Sequence, residues 1–288
     1  MKKTACFILI LITAVSLSAF DWPQQLSEER NNFSQYFGQS RNEAFINSLI
    51  FENPDTITAA DDGIHLITLD AGLADFGWFQ STLGNAVILE HSNNMMTVYG
   101  NLEEVYTEGD DVTVSKGTEI GISGFSGWQK GKNCLEFQVI DRDRNTIINP
   151  FVLMSQTTRK HNMTITSPAA FNRQEQKTAI ANGVRVQAGV YKLYIDRQKS
   201  GMTYQTSVSI NGALVETITY DVLIQNENRL CFTGKRNNVS YSYEDIYPDE
   251  NRQFVAEVIF SKGVNTVTID VRDIFGNEKS ATYRVEVY

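Results

Sequence analysis

Cys134 and Glu136 stand two positions apart in the run Cys134-Leu135-Glu136, and both side chains can ligate a transition metal. A catalytic zinc site commonly takes three protein ligands and leaves a fourth position for water. Two ligands from one strand make an incomplete site. We interpret Cys134 as a small buried apolar residue rather than a nucleophile, because no motif places a His or Lys where it would lower the pKa of the thiol. Glu136 is expected to be a solvated groove carboxylate; the alternative is that it is the partner of a cation that the local sequence does not identify.

The chain has three histidines, which are the remaining candidates for metal or acid–base chemistry. We interpret His91, which follows a predicted strand, as a hydrogen-bonded structural residue. His65 adjoins a strand and His161 lies in a predicted linker, and both are expected at the surface. The alternative is a metal site that combines His91 or His65 with Cys134 and Glu136.

Two aromatic loops are candidate contact surfaces. Trp128 lies in a glycine-flanked loop, and Phe76, Trp78 and Phe79 lie in the connection before Gly84. Bulky aromatic side chains in loops either cap the edge of a core or form a binding surface. Both alternatives stay open at this point.

These residues lie on or between short β-branched runs that are separated by Gly, Asn and Asp turns, a pattern that predicts an all-β protein. The predicted strands of the first half cover residues 86–90, 96–99, 112–114, 119–122 and 135–140. A polar segment with helical spacing, about Leu26 to Phe37, precedes them. The segment from about Ser155 to Pro168 is polar and non-periodic. We therefore predict a first domain at 21–155, a linker at 156–167 and a second domain at 168–288.

The second domain is also predicted to consist of strands. Val267, Ile269 and Val271 alternate with polar residues, and Asn211-Gly212 suits a tight hairpin that needs positive φ at two positions. Roughly seven such strands in ~120 residues predict a β-sandwich. The run VTIDVRDIFGNEKSATYRVEV resembles the terminal hairpin of immunoglobulin-like modules in bacterial exported proteins.

The N-terminus has the pattern of a secretory signal peptide, which we place at 1–20. Two lysines precede the apolar run Ala5–Val15, and small residues follow it before Phe20. We expect export to the periplasm or cell exterior, with no stable membrane insertion after cleavage. A retained signal anchor is the alternative. Cys134 and Cys231 would remain in the mature chain, as buried free thiols or, alternatively, as an inter-domain disulfide.

The charge balance excludes some partners. The chain carries 25 Lys and Arg against 34 Asp and Glu, a net charge of −9. Nucleic acid and anionic lipid are bound through basic surfaces, so we predict neither as a partner.

Four short motifs follow one another between Thr58 and Pro150. They are Ala59–Ile64, then Gly84–His91 with Thr97–Leu102, then Val105–Val112 with Lys116-Gly117, Ile120-Gly121 and Gly124–Gly127, and last Gly131–Val139 with Asn149-Pro150. In this order they resemble the motifs of the lysostaphin-type (LytM) metallopeptidases, zinc enzymes that cut peptidoglycan peptides. The resemblance implies a LytM-type β domain of the duplicated hybrid motif fold.

By the same resemblance, the family's zinc ligands and assisting histidines correspond to five substituted positions here. Ile46, Ile50 and Glu136 stand where members hold zinc, and Asn101 and Cys134 stand where histidines assist the reaction. Isoleucine has no lone pair, and Asn101 cannot take up a proton near neutral pH. Without the ion, nothing lowers the pKa of water from ~15.7 towards ~7. We therefore predict no cofactor, zinc included, and no catalytic residues.

The resulting functional prediction is an exported cell-envelope protein with a catalytically inactive LytM-type domain. The resemblance implies that such domains bind peptidoglycan or regulate a cell-wall amidase. The candidate binding groove consists of Tyr99, Asn101, Trp128 and Glu136. Two alternatives stay open, an active zinc metalloendopeptidase of peptidoglycan with relocated ligands and a structural or adhesive envelope protein.

Overall fold

Strands dominate the computed structural model, which describes residues 20–288 apart from 29–30, 71–80, 108–111, 130–131, 155–162, 199–202 and 237. The described part contains 24 strands, one four-residue α-helix and one 3-10 turn, so the predicted all-β class is confirmed. The predicted signal peptide lies outside the described residues except for Phe20.

The strands of the first half are short, and a 3-10 turn at Pro150–Val152 follows them. They are β1 Phe33–Gln35, β2 Ser40–Arg41, β3 Ala44–Phe45, β4 Leu49–Phe51, β5 Thr56–Thr58, β6 Gly63–Leu69, β7 Asn85–Glu90, β8 Met95–Val105, β9 Thr113–Val114, β10 Glu119–Ser123, β11 Glu136–Asp141 and β12 Thr146–Ile148.

The second half begins after residue 162 and includes the α-helix, α1, at Tyr243–Ile246. Its strands are β13 Ala169–Asn172, β14 Lys177–Ala179, β15 Val184–Val186, β16 Gly189–Asp196, β17 Thr203–Ile210, β18 Ala213–Thr219, β19 Val222–Asn226, β20 Arg229–Thr233, β21 Ser240–Tyr241, β22 Arg252–Phe260, β23 Gly263–Asp273 and β24 Glu278–Val287.

The expectation of a helix at Leu26 to Phe37 is wrong. Within this segment Phe33–Gln35 form β1, which pairs antiparallel with β4. Phe33 packs against the rings of Phe51 and Phe151 at centroid distances of 4.8 and 5.0 Å. This aromatic packing and the pairing with β4 override the helical spacing of the local sequence.

The largest sheet runs β21-β20-β19-β12-β11-β8-β7-β6-β9, and β1, β4, β5 and β10 pair with it off this path. Its centre is apolar because β7 and β8 supply side chains such as Val87, Leu89 and Leu102, which are fully buried. β8 pairs with β7 on one side and with β11 on the other. The strands that carry the candidate site are therefore central rather than peripheral.

Two motif glycines of the first half are explained by close approaches. A Cβ at Gly63 would meet the carbonyl oxygen of Glu90 at 2.7 Å and the His91 ring at 2.9 Å. Gly84 has a φ of +67°, and a Cβ there would meet the backbone nitrogen of Gly127 at 2.3 Å. No larger residue fits either position without moving backbone.

The second half contains two further sheets, ordered β14-β13-β16-β22 and β15-β24-β23-β17-β18. Side chains from both sheets, including Leu193 and Val255 of one and Val208 and Val267 of the other, belong to one buried cluster, so the sheets pack as a sandwich. The predicted tight turn is present between β17 and β18, where Asn211 and Gly212 have φ values of 54° and 80°. The immunoglobulin-like topology stays a prediction.

Not every strand of the second half belongs to the sandwich. β19 pairs antiparallel with β12, where Leu223 lies opposite Ile147 and Ile224 lies opposite Thr146. β20 and β21 extend the large sheet beyond β19. One hydrophobic cluster also spans the two halves, since Phe37 and Phe232 both belong to it. The predicted domain boundaries stay a prediction, but strand pairing and core packing connect the two sides.

Candidate functional site

Neighbouring strands bring most of the family-matched positions together. On β11, Glu136 lies opposite Ile50 of β4 on one side and opposite Gly100 of β8 on the other. Asn101 follows Gly100 directly. Ile46 lies in the connection between β3 and β4, two residues before Ser48.

Glu136 is only 2% exposed, so the expectation of a solvated carboxylate is wrong. Arg41 donates from Nη2 to Oε1 at 3.1 Å and from Nη1 to Oε2 at 3.3 Å. Ser48 donates its hydroxyl to Oε1 at 2.8 Å, and the Gln129 amide donates to Oε2. Burial opposes ionisation, but the hydrogen bonds and charge of Arg41, with Gln129 and Ser48, outweigh it and hold the pKa of Glu136 below its usual value.

Three residues that surround this carboxylate were not predicted from the sequence. Arg41, Ser48 and Gln129 lie in short or irregular segments without a motif, and Arg41 is 95 positions from its partner. The available signal was Glu136 itself, because an acidic residue in a central apolar strand requires a nearby cation or donors.

Asn101 has a structural role between β8 and the loop that precedes β11. It is fully buried, with a φ of +65°, a conformation that Asn tolerates better than most residues. Its amide nitrogen donates to the carbonyl oxygens of Gly124 at 2.5 Å and Cys134 at 2.7 Å, and its Oδ1 accepts from the backbone of Gly127 at 2.8 Å. The Asn101 side chain therefore stabilises the loop through these hydrogen bonds and is not a free donor for a ligand.

The residues present do not fit zinc. Ile46 and Ile50 are 1% and 3% exposed and offer only carbon. Burial raises the pKa of the Cys134 thiol to about 11, which disfavours the thiolate that a metal binds. Both oxygens of Glu136 already accept from Arg41. Among the described residues, no group of three or more His, Cys, Asp or Glu side chains is arranged to hold a metal ion.

Tyr99 belongs to a buried network rather than to an open groove. It is fully buried, and its hydroxyl accepts from the backbone nitrogen of Ala60 at 2.9 Å and from the Thr97 hydroxyl at 3.1 Å. Burial raises its pKa to about 12. His91 contacts the Thr97 hydroxyl through Nε2 at 2.8 Å and the carbonyl oxygen of Asp62 through Nδ1 at 2.8 Å. The predicted structural role of His91 is confirmed.

The structure agrees with the sequence-based prediction for some of the remaining candidate residues and not for others. His65 is 2% exposed and contacts the Thr68 hydroxyl at 2.9 Å, so its predicted surface position is wrong: the strand turns its ring into the structure. Cys134 and Cys231 are buried and free, as expected. His161 and the cluster Phe76, Trp78 and Phe79 lie outside the described residues.

Trp128 is the candidate groove residue that faces solvent. Its side chain is 64% exposed, and Phe125 in the same loop is 55% exposed. Two buried oxygens nearby in the sequence, Oε1 of Gln129 and Oδ1 of Asn133, have no hydrogen-bond partner in the described part of the chain. Of the four candidate groove residues, Trp128 is therefore the exposed one, in the loop between β10 and β11, and Phe125 of the same loop was not predicted from the sequence.

Comparison with known proteins matches one part of the chain to a described family. The sequence model of peptidase family M23 matches residues 53–150. Residues 53–150 form an M23 (LytM-type) peptidase domain. A second family model, which has no functional description, matches residues 161–288. An uncharacterized protein of Treponema pallidum (strain Nichols) is 28% identical over 138 residues, which cover 42% of this chain and 90% of that protein.

Solved structures similar to this chain include peptidases and a protein complex. A zinc-containing peptidase from Vibrio cholerae is 18% identical, with a TM-score of 0.37, and the match covers 49% of this chain and 41% of that one. The catalytic domain of lysostaphin from Staphylococcus simulans is 19% identical, with a TM-score of 0.34 and coverages of 42% and 92%. The SpoIIQ–SpoIIIAH pore-forming complex is 18% identical, with a TM-score of 0.33 and coverages of 48% and 83%. The chain thus matches less than half the length of the Vibrio protein.

The structure also bears on membrane spans. Among the described residues, no helix has the length and apolar character needed to cross a bilayer.

Proposed function

We propose that this chain is an exported cell-envelope protein whose M23 domain is catalytically inactive and acts as a binding or regulatory module. One observation carries the proposal: the Arg41–Glu136 ion pair stands where the family resemblance puts a zinc ligand. The guanidinium supplies the positive charge that a metal would supply, and Ile46 and Ile50 replace two further donors with carbon. This arrangement of an ion pair and two isoleucines stabilises the fold but has no group that would activate a water molecule.

The contact surface that we propose is the loop with Phe125 and Trp128. Tyr99, Asn101 and Glu136 are buried and hydrogen-bonded inside the protein. Their burial supports a binding site at the exposed loop instead of at these three residues. Exposed aromatic side chains commonly supply the energy of protein contacts. With a net charge of −9, the chain suits a protein partner such as a cell-wall amidase better than an anionic polymer such as peptidoglycan.

Two measurements test the proposal. Elemental analysis of the purified mature protein is expected to give no stoichiometric zinc. Stoichiometric zinc together with chelator-sensitive release of peptides from sacculi would instead establish an active metallopeptidase with relocated ligands.

The second measurement compares F125A/W128A with the wild-type chain in sedimentation with purified sacculi and in activation of cell-wall amidases. The double variant is expected to lose at least one of these activities. Leu214→Ala is the matched control, because Leu214 is 61% exposed on β18 of the sandwich. If the wild-type chain neither sediments nor activates, the structural or adhesive alternative replaces our proposal.

A further inference from the structure

A cavity of about 190 Å³ lies between the two halves of the chain, and its lining includes neither Phe125 nor Trp128. The segment Phe37–Ser40 lines it on one side, and Arg197, Tyr247 and Gln253 line it from the second half. The volume is below the ~300–1,000 Å³ of pockets for drug-sized ligands, so the cavity suits a small group.

Arg197 brings a positive charge to this cavity, and no carboxylate of the described residues is paired with it. Its guanidinium stacks on the Tyr247 ring at 4.2 Å, its Nε donates to the carbonyl oxygen of Arg252 at 3.3 Å, and its Nη2 donates to the Tyr243 hydroxyl at 3.4 Å. Within the described part of the chain, no Asp or Glu forms a salt bridge with Arg197, and its Nη1 has no hydrogen-bond partner. A half-buried guanidinium that lacks a carboxylate partner and has an unpaired N–H group favours the binding of an anion.

Two amide side chains add one donor and one acceptor. The Oε1 of Gln39 accepts from the backbone nitrogen of Tyr36 at 3.0 Å, which leaves its Nε2 without a partner among the described residues. Gln253 is 1% exposed, and its Nε2 donates to the Tyr220 hydroxyl at 2.8 Å. The Oε1 of Gln253 has no partner among the residues that the structure describes. The cavity lining therefore offers a cation, an N–H donor and a carbonyl acceptor.

We propose that this cavity binds the C-terminal residue of a peptide. The carboxylate would accept from the planar fork of Arg197 and from the Nε2 of Gln39, and the amide N–H of the same residue would donate to the Oε1 of Gln253. A carboxylate with an adjacent N–H satisfies all three groups at once. The site does not depend on the proposed function of the aromatic loop.

Calorimetric titration of the full mature chain with N-acetyl-alanine and with its C-terminal amide tests the site. The acid is expected to bind at least about tenfold more tightly than the amide, because the amide carries no charge for Arg197. Inorganic phosphate serves as a competitor and is expected to bind more weakly than the acid. Equal binding of acid and amide, no binding of the acid, or tighter binding of phosphate would overturn the proposal.

Variants separate this site from a general effect of charge. Arg197→Gln is expected to weaken binding of the acid about tenfold or more. Arg185→Gln is the control, because Arg185 also stacks on a tyrosine, Tyr288 at 5.2 Å, but does not line the cavity. If the Arg197 variant fails to fold, Gln39→Glu replaces it: the side chain keeps its acceptor but repels a carboxylate ligand. Unchanged affinity in the folded variant, or an equal loss in the control, contradicts the assignment.

Discussion

Nη2 of Arg41 lies 3.1 Å from Oε1 of Glu136, and this ion pair connects the two-residue strand β2 to the centre of the large sheet. The residue before Arg41, Ser40, forms a 2.5 Å hydrogen bond with the hydroxyl of Tyr243 in the second half. One short strand therefore links Glu136, the position that the family resemblance assigns to a metal ligand, to the other half of the chain.

The first prediction concerns acid stability. The folded pKa of Glu136 is depressed, so its contribution is present above the unfolded pKa of about 4.3 and is lost as the pH falls through the folded pKa. We expect Glu136→Gln to lower the free energy of unfolding by about 2 kcal/mol at neutral pH and to show a shallower loss below pH ~4. Urea unfolding between neutral and acidic pH measures both effects.

The control for this prediction is Glu90→Gln. Glu90 pairs with Arg142 at the surface, where the Arg142 side chain is 48% exposed, so a change under about 1 kcal/mol is expected. If both variants lose the same free energy of unfolding, burial of the Arg41–Glu136 pair does not increase its contribution to stability.

The second prediction concerns the cation at this position. Restoring donors with I46H/I50D/E136H leaves the Arg41 guanidinium beside the rebuilt site, where its charge opposes a bound metal ion. We expect this variant to take up zinc poorly and the same variant with Arg41→Ala to take up about one equivalent. Elemental analysis after dialysis measures the metal, and circular dichroism checks the fold. Zinc uptake that is indifferent to Arg41 would refute the view that the guanidinium replaces the ion.

The third prediction concerns the division of the chain. Because β12 pairs with β19 and Phe37 shares a core with Phe232, a fragment of residues 20–154 loses strand partners and exposes apolar surface. We expect this fragment to aggregate or to unfold without a cooperative transition, whereas the full chain unfolds in one transition. A fragment that melts cooperatively at the temperature of the full chain would establish two independent domains.

The fourth prediction concerns the mature N-terminus. Phe20 is 3% exposed, its ring lies 5.1 Å from the ring of His91, and it forms a bridge with Met154. We therefore expect leader cleavage at or before the Ala19–Phe20 bond, at least one residue earlier than the sequence pattern alone predicts. N-terminal sequencing of the exported protein identifies the bond.

A variant measures what the buried ring contributes. Phe20→Ala is expected to lower the free energy of unfolding by about 3 kcal/mol, the usual cost of emptying a buried phenylalanine site. A mature chain that starts at Asp21 with full stability would contradict the importance of this contact.

Local pattern was sufficient to predict the all-β class and the Asn211-Gly212 turn, and the resemblance of four motifs was sufficient to predict the M23 domain. Gly63 and Gly84 belong to motifs whose spacing reflects close backbone approaches, and Asn211-Gly212 predicts its hairpin because few residues adopt positive φ. The alternation of Val267, Ile269 and Val271 likewise predicts which side chains of β23 are buried. The hairpin and the alternation depend on residues that are close in sequence.

Tertiary structure alone decided which distant groups meet. A two-residue period determines the faces of a strand but not its neighbour, so nothing in the local pattern distinguishes β19 as a partner of β12 from a strand of the sandwich. The same holds for Glu136, whose sequence neighbours do not reveal that Arg41 would neutralise it from 95 positions away. Such contacts form only when distant strands pack together. A buried charge requires a partner, and the assembled strands determine which residue is close enough to be that partner.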